Sequence, residues 1–69
     1  MAFTPQQEQE ILRRLRNLPP QERQKHSQNT KTAFAAVGIF LGHSAAEYVL
    51  KTHGWPAVEK KLIEIFRKV

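Results

Sequence analysis

Apolar residues along the chain recur three and four positions apart and nowhere alternate with a period of two. That spacing predicts helices and argues against strands. Thr4-Pro5-Gln6-Gln7 opens the first helix. Thr4 suits the N-cap, Pro5 the first helical position, and Gln7 can complete a capping box. Behind this start, Ile11, Leu12 and Leu15 share one face while Arg13, Arg14 and Arg16 point away from it. Glu10 and Arg14 stand four apart in the favourable order. Leu18-Pro19-Pro20 stops the helix, because residues before proline are pushed out of the α region. Pro20 then suits the first position of a second helical stretch.

From Arg23 to Thr32 there is no apolar residue. The segment is either a loop or an exposed helical turn, with a break near Ser27–Asn29 and Asn29 or Thr30 as the next N-cap. Thr32 to Gly42 is apolar on every side: Phe34, Val37 and Leu41 on one, Ala36, Ile39 and Phe40 on the others. A helix without a polar face belongs at the centre of the packing. Gly42 closes it. Ser44-Ala45-Ala46-Glu47 reads as a second capping box, opening a short helix that carries Tyr48, Val49 and Leu50 and ends at Gly54. Trp55-Pro56 begins the last helix. There Val58, Leu62, Ile65 and Val69 form a seam, widened by Ile63 and Phe66, with Lys60, Lys61, Glu64, Arg67 and Lys68 mainly outside it. The expected fold is all-α: one domain over residues 1–69, a compact bundle of four or five short helices. Its expected core is Phe34, Val37, Leu41, Leu62, Ile65 and Phe66.

Composition narrows the chemistry. The 69 residues include no cysteine, so disulfides and thiolate metal sites are excluded. All six acids are Glu, which removes Asp-based triads and calcium loops. A chain of this size buries only about 60% of its unfolded surface and often leans on a partner, so a homodimer is expected. The N-terminus lacks the basic start and apolar stretch of a signal peptide. The apolar run Ala33–Gly42 is 10 residues long, too short to span a bilayer. These features point to a cytoplasmic protein rather than a membrane one.

His43 and Glu47 would face one metal ion only if their helix began before Ser44, and the Ser44 cap places His43 outside it. His43 beside Ser44 has no Asp to orient a catalytic dyad. No glycine-rich phosphate loop is present. No metal, cofactor or catalysis is expected. Gly38-xxx-Gly42 has the spacing that lets helices approach closely, and is read as packing against the last helix, with a homodimer contact as the alternative.

Residues 41–49 have the local shape of a helix-turn-helix: Gly38 at the small-residue position, Gly42 at the turn, and Tyr48 as the apolar anchor of the second helix. Ala45, Lys51, Thr52 and His53 would then face a DNA groove, with Lys51 departing from the pattern where an apolar contact is expected. Residues 13–31 add Arg13, Arg14, Arg16, Arg23, Lys25 and Lys31 against Glu22 alone, within a chain of net charge +5. Such a cluster can neutralise phosphates or steer an acidic protein. It lacks the interleaved aromatics of single-strand binders, which favours duplex backbone or protein contact over base stacking. The sequence therefore points to a small non-enzymatic DNA-binding regulator acting as a homodimer. The alternative is an adaptor or inhibitor docking an acidic partner through its basic face. Either way the expected binding residues are Arg13, Arg14, Arg16, Arg23, Lys25, Lys31, Lys51 and Thr52.

Overall fold

The computed structural model describes residues 2–69; Met1, part of the N-terminal stretch read above, lies outside them. Five helices follow in order: α1 (Pro5–Arg16), α2 (Pro20–Gln28), α3 (Thr30–Leu41), α4 (His43–His53) and α5 (Trp55–Lys68). There is no strand among the described residues, and the chain is an all-α bundle. α1 starts as its sequence requires. The Gln7 amide donates to the Thr4 hydroxyl at 3.0 Å, and the Thr4 amide donates to the Gln7 side chain at 3.0 Å. Asn29 is the N-cap of α3, its side chain accepting from the amides of Lys31 and Thr32 at 3.0 and 3.3 Å. The apolar-free segment Arg23–Thr32 forms the end of α2, the Asn29 cap and the first residues of α3, and α2 buries no residue.

α3 touches all four other helices, as a helix without a polar stripe must. The core gathers Ile11, Leu12 and Leu15 from α1, Ala33 and Val37 from α3, Ala46 and Val49 from α4, and Val58, Leu62 and Ile65 from α5. Three of the six expected core residues, Val37, Leu62 and Ile65, are fully buried; Phe34, Leu41 and Phe66 are half-buried at its margin. The residue that sequence reasoning missed is Phe3, which is 0% exposed. It precedes the Thr4 cap, a position whose apolar residue often folds back on the fourth helical residue. Here that residue is Glu8, and Phe3 joins the common core instead.

α4 differs from the expected start. It begins at His43, with Gly42 as its N-cap and no side chain bonded to its first amides. Ser44 is thus inside the helix and caps nothing. Gly42 ends α3 and begins α4, and Gly54 ends α4 and begins α5. Both adopt φ, ψ pairs that L-residues avoid: 96°, 148° and 82°, 158°. Each joins two helices through a single residue at positive φ, which only glycine does without strain. A side chain at Gly42 would meet nothing within 4 Å, so any cost of substitution there is backbone cost.

Two stability outcomes follow from this packing. Phe3→Ala should cost about 3–5 kcal/mol in urea or thermal unfolding, as for other buried aromatics, despite its place near the chain end. Gly42→Ala should cost about 1–3 kcal/mol despite the open space around it. A Gly42→Ala variant that unfolds like the parent would show that the joint relaxes freely.

Candidate binding surfaces

The expected cationic cluster is largely committed to the protein itself. Arg13 and Arg14, one helical turn beyond Glu10 on α1, both pair with its carboxylate. These hydrogen bonds hold the Glu10 carboxyl below its usual range. The Arg14 guanidinium also lies 6.0 Å from the centre of the Phe40 ring, within cation–π range. Lys25 pairs with Glu22 at 3.4 Å and Lys51 with Glu47 at 3.2 Å. Arg16 donates to the Lys68 carbonyl at 2.9 Å, satisfying an end of α5 that its own helix leaves open. Lys31 and Thr52 are exposed, and neither has an ion-pair or hydrogen-bond partner through its side chain among the described residues.

Glu8 was not singled out by the sequence, and it organises the α1–α5 contact. It is 8% exposed, and its Oε1 lies 3.0 Å from the Lys61 ammonium and 3.2 Å from that of Lys68. The hydrogen bond from Lys61 is the main reason its carboxyl sits below the usual value of 4.5, acting against the desolvation that burial imposes. The same bond raises Lys61 above its usual value. Glu8 with Lys61 and Lys68, and Arg16 with the Lys68 carbonyl, tie α1 to α5. No hydrophobic period marks such a residue, because Glu8 reads simply as an acid in the first turn of a helix.

The molecule presents two further surfaces. The first is a basic end, where Arg16 and Lys68 are engaged within the protein and Arg23 is not. Arg23 shares an open cleft of about 310 Å³ with Pro20, Gln24, Ser27, Phe66 and Val69, and Arg16, Arg67 and Lys68 stand at the same end of α5. The second is apolar. Ile39 on α3 is 75% exposed, on a helix whose neighbouring outward positions include Ala35. Beside it an open trough of about 300 Å³ runs between α3 and α4.

The helix-turn-helix reading needs correction at its anchor. Tyr48 is 69% exposed, and Ala46 and Val49 are the residues that α4 buries. Lys51, the position flagged as out of pattern, is exposed and held by Glu47. Gly38 packs against α4, not against α5 as expected: a side chain there would lie 3.3 Å from the His43 ring and 4.0 Å from Ala46. Because α4 starts at His43, that residue and Glu47 do share a helical face, yet no cluster of three metal-ligating side chains exists among the described residues. No helix of the described chain is long and apolar enough to cross a membrane. Comparison with protein-family models, curated proteins and solved structures gave no match in any of the three.

The Glu8 clasp has a pH signature. A carboxyl held below its unfolded value stabilises the fold fully above that value and loses the contribution as pH falls through the folded one. Lys61 works in the opposite sense, its contribution present below its usual value of 10.5 and lost as pH rises through the raised one. Melting temperature should therefore drop as pH falls below about 4.5. Glu8→Gln should lower stability at pH 7 by about 1–3 kcal/mol and remove most of that acid slope. A Gln variant with the parent's acid slope would place the titration elsewhere, with Glu10 the alternative.

Proposed function

We propose that this chain is a small non-enzymatic protein-interaction module, an adaptor or inhibitor that docks an acidic protein partner. The observation that carries the reading is Ile39, 75% exposed on α3 beside the α3–α4 trough, on a molecule of net charge +5. Phosphate neutralisation needs cations and gains nothing from an exposed isoleucine, whereas a protein interface joins apolar anchors to a charged rim. Four of the eight cations and polar groups expected to contact a partner already hold a carboxylate of their own helix: Arg13, Arg14, Lys25 and Lys51. Catalysis is not part of the proposal. His43 and Ser44 are successive helical positions, which do not face one another.

Duplex DNA, bound by a homodimer, is the second reading, and one observation favours it. Arg23 lines a cleft with Phe66 and Val69 at the end of α5, where Arg16 also meets the Lys68 carbonyl, so a phosphate backbone would find more than one cation there. Under this reading the two-fold of the dimer would match two half-sites.

Titration of fluorescent duplexes separates the two. The adaptor predicts binding that is weak, indifferent to sequence, and lost between 50 and about 200 mM salt, as any cationic domain shows. It also predicts a stoichiometric complex with an acidic protein that survives nuclease and weakens when Arg16 and Arg23 are replaced by Gln. Sequence-selective DNA affinity near 10⁻⁸ M at about 150 mM salt would overturn it in favour of the regulator.

A further inference from the structure

The side of α3 left bare by the bundle runs Lys31, Ala35, Ile39 and Gly42, four, four and three residues apart and so on one helical face. Next to it the trough between α3 and α4 is floored by Gly38 and Ala46 and walled by Phe34, Leu50 and His43. We propose that this trough docks one amphipathic helix of a partner protein, its apolar anchors beside Ile39 and its acidic end at Lys31. The inference rests on the acidic-protein reading above and adds the surface and the shape of what it takes.

A helix fits because of how the trough is made. α3 and α4 are joined by the single residue Gly42, so two helices of 12 and 11 residues stand next to each other with no loop to cover the seam. α3 is about 18 Å long at 1.5 Å per residue, room for three turns of a third helix. Gly38 brings α4 close to α3 at the middle of the seam, since a side chain there would stand 3.3 Å from the His43 ring. Apolar residues spaced three and four apart on the incoming helix would fill this seam.

Charge selects the occupant. Glu47 is the one carboxylate among the residues that line the trough, and Lys51 already holds it at 3.2 Å. Lys31, one helical turn before Ala35 of the lining, has no ion pair among the described residues, so the unneutralised charge toward that end of the trough is positive. A second copy of this chain would bring a further +5 and another Lys31 to the same face, which opposes it. An acidic helix end meets no such repulsion.

The test is selection of a displayed library of 14-residue helical peptides on the full chain, followed by titration of the enriched sequence as synthetic peptide. Trp55 is the natural reporter. It is the chain's single tryptophan, and its ring meets that of Phe34, a wall of the trough, edge-on at 5.8 Å. Enriched peptides should carry apolar residues at spacings of three and four with Glu or Asp at one end, and should shift Trp55 emission. Ile39→Glu should weaken binding about tenfold or more, as loss of an interface anchor does. Lys31→Glu should reverse the preference toward a Lys-ended copy of the peptide. Both positions are exposed, so circular dichroism should show both variants folded.

Three results would overturn the proposal. Acidic peptides insensitive to Ile39→Glu but lost on Arg16→Gln with Arg23→Gln would move docking to the basic end and leave the acidic-partner reading standing. Absence of enrichment, or enrichment of basic peptides, would remove both. Sedimentation as a dimer that Ile39→Glu returns to monomer would show a second copy in the trough.

Discussion

The bundle depends on covering α3. Its twelve residues carry apolar groups around the whole circumference, so no orientation lets the helix lie on a surface with one side in water. The solution is to surround it. α1, α4 and α5 supply the facing apolar seams, and α2 lies against it without burying a residue of its own. The cover is incomplete on one side, where Ile39 remains in solvent. A chain of 69 residues has too few apolar side chains to close every side of such a helix.

Two joints make that arrangement attainable in so short a chain. Gly42 and Gly54 each serve as the end of one helix and the cap of the next, so α3, α4 and α5 follow one another with a single residue between them. Both joints are at positive φ. A conventional cap and loop would occupy several residues at each junction. The same economy leaves the α3–α4 seam uncovered, so the trough and the joint have one origin.

Charge plays a structural part before any functional one. Glu8 is the only buried charged residue among those described, and its two lysines come from the far end of the sequence. Glu10 holds two of the three α1 arginines, and Arg16 closes the end of α5. The excess of basic residues is thus thinned by local and tertiary pairing. Arg23, Lys31, Lys60 and Arg67 are the cations left without such a partner among the described residues.

The sequence by itself determined the helices. Their starts at Thr4, Pro20, Asn29 and Trp55, their stops at Pro19, Gly42 and Gly54, and the central place of α3 all follow from local capping chemistry and from the period of apolar residues. It misplaced the start of α4 because Ser44–Glu47 spells a capping box, while Gly42 already caps the helix two residues earlier. Only the tertiary structure decided which equivalent residues face inward. Phe34, Leu41 and Phe66 match the periodic pattern as well as Val37, Leu62 and Ile65, yet three lie at the margin and three at the centre. Glu8 is buried where α5 places its lysines, Phe3 is buried in the common core, and Tyr48 is exposed while Val49 takes the inward position. Nothing local distinguishes a lysine that will meet Glu8 from one that will stay free. Pairing across some sixty residues of chain depends on how the helices come to lie, and the helical period is silent on that.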